Sequence, residues 1–133
     1  MGVSMYDAQS KERRFDSMYT LDTGEGVSAF LEDVYLIEKE AENGDYTAID
    51  ILADLQTAMH LAELTDREIA LIDLYYTQGY TYAEIGGLLD AHRTTIARQI
   101  KESCEKIAEV YLYWALHGEG YNYTGGIEDG AGL

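Results

Sequence analysis

The chain has 133 residues, 47% of them apolar, with 25 acidic residues against nine basic ones and a formal net charge of −16. That length fits one domain with a real core, and no run approaches the roughly 18 apolar residues of a membrane helix. The acidity excludes adhesion to nucleic acid by bulk charge, because a duplex repels anions over a Debye length of about 10 Å.

Taken in chain order, residues 1–27 mix Gly, Ser, Asp and Met without a steady period. They are expected to be mobile, with a short helix around Lys11–Met18. Residues 28–63 are expected to form an acidic helical pair. Ser28 is the expected N-cap of the first helix, with Glu32 and Asp33 in its first turn. Phe30, Val34, Ile37 and Ala41 recur at spacings of four, three and four, an amphipathic stripe. Asn43-Gly44 ends that helix. The second starts near Asp45 or Thr47, with Ile49, Leu52, Leu55, Met59 and Ala62 as its stripe.

Residues 64–117 hold the strongest local signals. Thr65-x-x-Glu68 and Thr81-x-x-Glu84 are both capping boxes. The first opens a helix carrying Ile69, Ile72 and Tyr76 and ending at Gln78-Gly79. The second opens a short helix carrying Ile85, Leu88 and Leu89. Asp90-Ala91-His92 is the turn, where Asp tolerates a left-handed backbone. From Arg93 a long helix carries Ile96, Ile100, Ile107, Tyr111 and Trp114 to about His117. Residues 118–133 are Gly-rich and expected to fray. The fold class is all-α: a helical domain with a helix-turn-helix and a long C-terminal helix. Proline is absent, so no proline interrupts those helices.

The second helix of a helix-turn-helix lies in the major groove, with its first turns against base edges. Ile96 and Ile100 fix its core face. The other side offers His92, Arg93, Thr94, Thr95, Arg98, Gln99 and Lys101. Arg pairs bidentately with guanine, Gln with adenine, and a Thr methyl touches thymine. Thr94, Thr95 and Lys101 suit phosphates equally well. Arg93, Arg98 and Lys101 face no acid within His92–Lys101, whereas residues 1–63 hold 14 acidic and four basic residues. A solvated charged face is the alternative for these side chains. Double-stranded DNA is therefore the expected ligand of this helix, and a basic protein surface that of the acidic half.

Leu64–Ala108 resembles region 4 of bacterial sigma factors. Leu64-Thr65-x-Arg67-Glu68, Tyr76 through Tyr82, Ala83-Glu84-Ile85 with Leu88-Leu89, and Thr95-Ile96 carry the resemblance. It looks most like the short sigma-like regulators of bacteriophages of Gram-positive hosts. The resemblance implies reading of an upstream promoter element and contact with RNA polymerase. It places His92, Arg93, Thr94, Ala97 and Arg98 at base and phosphate contacts. Two features depart from the family: Glu102, Glu105 and Glu109 stand where Lys and Arg are frequent, and Gly86-Gly87 stands where Ala and a polar residue are usual. Nothing before Leu64 resembles the segment that melts the −10 element.

The expected function is that of a DNA-binding transcription regulator acting with RNA polymerase at promoters. Two alternatives stay open: a module that binds polymerase without DNA, and the small terminase subunit of viral DNA packaging, which requires a ring oligomer. Val110 to Leu116 are apolar on more than one side. They fit packing on the Phe30–Ile37 helix or a homodimer through the C-terminal helix. No cofactor and no metal is expected: His60 and His117 lack zinc spacing, and Glu42-Asn43-Gly44-Asp45 lacks the spaced ligands of a calcium loop. The single Cys104 reads as a core residue, and no nucleophile–base pair suggests an enzyme. A reducing, cytoplasmic setting of a bacterial or phage-infected cell is the expected location, with no membrane association.

Overall fold

The first helix begins earlier than the sequence pattern suggests. The structure, a computed structural model, describes residues 19–117, so the expectations for residues 1–18 and 118–133 lie outside the described residues. Helix α1 spans Gly24–Glu32 and is capped by the Thr23 hydroxyl, which accepts the Gly26 amide at 3.0 Å. Residues 19–27, assigned to a mobile segment, are thus partly helical, and Tyr19 and Val27 are buried. Ser28 is not the cap. Its hydroxyl lies 2.7 Å from that of Tyr76, 48 residues on.

A second correction concerns the Phe30–Ala41 stripe, which does not lie on one helix. Helix α2 spans Val34–Glu42, separated from α1 by Asp33 with φ −104° and ψ 3°. The Asp33 carboxylate accepts a 2.8 Å hydrogen bond from the Tyr19 hydroxyl. That bond ties the break to the chain ahead of α1. The acidic part therefore holds three helices among the described residues. The third, α3, spans Tyr46–Leu61. The Asp45 carboxylate caps it, accepting the amides of Thr47 and Ala48 at 3.0 and 3.3 Å. The face it buries holds Thr47, Ala48, Leu55 and Ala58. Ile49, expected inside, is exposed. The buried face is thus offset from the expected stripe, and Ile49 lies outside it.

Helix α4 spans Asp66–Ile72 and runs on through one π turn at Asp73–Thr77. Its Thr65–Glu68 capping box is formed, as is the Thr81–Glu84 box that opens α5, Tyr82–Leu89. Each such box satisfies two otherwise orphaned amides. Gly79, with φ +79°, turns the chain between them. Of the residues read as apolar faces, Ile69 and Leu88 are exposed, while Ile72 and Ile85 are buried.

Helix α6 spans Arg93–His117, as expected from the sequence. At ~1.5 Å per residue it is a rod of about 37 Å. It lies along α1 more extensively than any other pair of elements lies together, and it also touches α3, α4 and α5. The core threads this helix: Ile96, Ile100, Cys104, Ile107 and Val110 are all buried, together with Phe30 and Leu71. Burying such side chains contributes roughly 1.5–3 kcal/mol apiece. Packing within the chain thus accounts for Val110 and Trp114. Leu112 and Leu116 remain exposed on the same helix.

Candidate nucleic-acid interface

The turn before α6 is closed by backbone geometry. Asp90 adopts φ +58° and ψ 49°, the left-handed conformation that an Asp tolerates. The Ala91 amide then donates to the Gly86 carbonyl at 2.9 Å. A Cβ on Gly86 would overlap the Ala91 carbonyl oxygen, so this glycine admits the turn. Gly87, one position on, has open space around it. The tight closure sets the first turn of α6 at the surface, directly beyond α5.

His92 starts that helix. Its Nδ1 accepts the Thr94 amide at 3.1 Å and lies 2.8 Å from the Thr94 hydroxyl. Its carbonyl accepts the amides of Thr95 and Ile96 at 3.0 and 3.1 Å. The ring thus serves as an N-cap, as a short polar side chain would. His92 itself is exposed.

Arg93, Thr94, Arg98 and Lys101 are exposed, while Thr95, Ala97 and Gln99 are half-buried. The structure therefore brings the expected residues to one end of one helix, but the set is not uniform. Arg98 has a partner that the charge count of His92–Lys101 left out. Its guanidinium lies 3.5 Å from the Glu102 carboxylate, one turn on. Such an exposed pair is worth at most about 1 kcal/mol, so the arginine remains available to a stronger anion. Among the described residues, neither Arg93 nor Lys101 has a carboxylate at ion-pair distance.

Gln99 is also engaged. Its side-chain oxygen accepts hydrogen bonds from Nε and Nη2 of Arg67, at 3.3 and 3.2 Å. Arg67 is the residue that reading the recognition helix alone misses. It sits in the first turn of α4, 32 residues away, and adds a cation beside the helix. The only signal for it in the sequence was its place in the Leu64–Glu68 motif.

The base of this arrangement is clamped. Lys106 donates to both Glu68 oxygens, at 3.1 and 2.9 Å, while Glu68 also accepts the Thr65 amide at 2.9 Å. Burial pushes the Glu68 carboxyl up, but the bonds from Lys106 and Thr65 outweigh it and hold it below the usual carboxylate value. Behind the site, the Tyr76 hydroxyl lies 3.5 Å from the Cys104 sulfur, joining α4 to α6. Burial pushes the Tyr76 phenol and the Cys104 thiol above their ordinary pKa values. The rings of Tyr75 and Tyr82 stack with centroids 4.6 Å apart. The Tyr75 hydroxyl, with burial, pushes the Tyr82 phenol up to about 12. Tyr76, Tyr82 and Cys104 therefore remain neutral near pH 7 and serve as packing and hydrogen-bonding elements.

An acidic-rimmed groove of about 410 Å³ lies on the other side of α4, between Leu31, Leu55, Met59 and Ile72, with Glu38 and Asp73 at its edge. Among the described residues there is no group of three His, Cys, Asp or Glu side chains placed to hold a metal ion. No helix of those residues is long and apolar enough to cross a membrane.

Residues 60–109 match the family model of sigma-70, region 4. No curated protein and no solved structure matches the chain. The matched span begins near the end of α3 and covers α4, α5 and most of the buried part of α6. The chain therefore carries a sigma region 4-like helix-turn-helix, a DNA-binding unit of transcription regulators.

Proposed function

We propose that this sigma region 4-like protein reads promoter DNA through the first three turns of α6, in company with RNA polymerase. The carrying observation is the exposed end of α6. His92, Arg93, Thr94, Arg98 and Lys101 stand out from a matched helix-turn-helix whose core face is fully occupied. Thr95 and Gln99 flank them toward α4. The role is one of binding rather than catalysis; the lone Cys104 is buried, with its thiol held protonated.

Polymerase supplies what charge withholds. Between residues 19 and 63 there are 11 acidic residues and one lysine, a field that weakens any duplex contact. A basic surface on a larger partner would both neutralise that field and hold the duplex near α6. Free of the partner, the chain binds duplexes weakly, with a salt slope no steeper than about −3, as for three neutralised phosphates.

The test is retention of promoter duplexes at low salt, with polymerase and without it. Arg93→Ala with Arg98→Ala should abolish selective retention and promoter output. Unchanged retention and output would remove α6 as the reading element. A second reading, docking on polymerase without DNA contact, draws support from the Arg98–Glu102 pair and the acidic half. It predicts equal capture of polymerase with or without promoter DNA, and no effect of the double variant.

A further inference from the structure

We infer that Arg67 sets which base edge Gln99 addresses, an inference that rests on the DNA-reading assignment of α6. A side-chain amide oxygen has two lone pairs. Nε–H and Nη2–H of Arg67 both point at the single Gln99 oxygen, at 3.3 and 3.2 Å, so both lone pairs are taken. What Gln99 has left to offer is its NH2 group, which only donates.

The ordinary glutamine readout of adenine needs both ends of the amide: the oxygen accepts from N6 while the nitrogen donates to N7. Held by Arg67, Gln99 cannot accept. It instead matches edges that present acceptors alone, O6 and N7 of guanine or O4 of thymine. Arg67 is thus a positioning residue that converts a two-way amide into a donor.

The frame around the pair is fixed. The Thr65–Glu68 capping box sets the first turn of α4, and the Lys106–Glu68 ion pair at 2.9 Å fastens that turn to α6. The Gln99 carbonyl accepts the hydroxyl of the buried Ser103 at 2.8 Å, which holds its backbone in the helix. The backbones that carry Arg67 and Gln99 are therefore anchored to each other, while the hydrogen bonds between the two side chains lie at the exposed surface.

The experiment is selection of duplexes from a random library by the full chain at low salt, followed by sequencing. It uses the wild-type chain, Gln99→Ala, Arg67→Ala and Arg67→Lys, each checked for an unchanged helical melting curve. Gln99→Ala should erase preference at one base pair, which identifies the position it reads. There the wild type should favour guanine or thymine over adenine. Arg67→Ala should shift that position toward adenine by about tenfold, the scale of one bidentate contact. Arg67→Lys, which lacks the paired N–H fork, should give an intermediate shift. The inference is overturned if Arg67→Ala lowers retention of all sequences equally, if the wild type already prefers adenine there, or if Gln99→Ala changes no position. If the wild type enriches no sequence either alone or with RNA polymerase present, the DNA-reading assignment falls, and this inference with it.

Discussion

The acidic helices α1–α3 and the helix-turn-helix α4–α6 differ sharply in surface charge yet share one interior. Residues 19–63 carry 11 acidic residues and a single lysine, while His92–Lys101 carry three cations and no acid. Even so, the most extensive packing in the molecule joins α1 to α6 across that divide. Helix α6 has one side built into the core with α1 and the other turned to solvent. The difference teaches that surface chemistry and stability are separable here: the acidic half supports α6 mechanically while carrying a charge opposite in sign to that of the exposed start of that helix.

The most severe way to break this comparison is Phe30→Ala, which empties a fully packed site on α1. It should cost about 3–5 kcal/mol and lower a single melting transition that includes α6. Two separate transitions in calorimetry would mean that the halves fold independently. Gly86→Ala comes next, at about 2 kcal/mol, because the new methyl group meets the Ala91 carbonyl. Its neighbour provides the contrast: Gly87→Ala, in open space, should gain up to about 1 kcal/mol in urea unfolding.

Glu68→Gln tests the clamp between α4 and α6 and should cost up to about 1 kcal/mol near neutral pH, because Gln keeps the capping-box contact and loses only the charge that pairs with Lys106. Its folded carboxyl lies below the ordinary 4.5, so the unfolded chain binds more protons in acid. The glutamate's contribution is therefore present above that ordinary value and lost as pH falls through the folded one. Stability differences between wild type and variant should close in acid; a gap that persists there would assign the effect to shape rather than charge. The smallest effect on stability sharpens the comparison most. Arg93→Ala with Arg98→Ala should change stability by under about 0.5 kcal/mol, while duplex retention collapses.

Where structure is local, it was legible. Thr65 with Glu68, Thr81 with Glu84, and Asp90 each act within four residues, and each stands where its spacing placed it. Asp45, one of the two expected starts of α3, is its cap. The break at Asp33 was not legible, because Phe30, Val34 and Ile37 keep helical spacing across it. What accompanies the break is the Tyr19 hydroxyl, 14 residues earlier. Ile49 misled for a related reason. Its period fits the stripe, but the face that is buried is the one holding Thr47, Ala48, Leu55 and Ala58. At the site, residue types and helix position were readable, while the partners Arg67 and Glu102 were not part of the charge count. Arg67 depends on a tertiary contact over 32 residues that no local pattern encodes.

Trp114 has its own consequence. It is the chain's single tryptophan, it is buried, and its indole N–H has no acceptor among the described residues. It stands 21 residues beyond Arg93, or about 30 Å along the rod. The molecule therefore contains an intrinsic optical probe at the end of α6 remote from His92–Lys101. A ligand at the recognition end should leave its emission unchanged, whereas loosening of the α1–α6 contact or a partner seated on Leu112 and Leu116 should alter it.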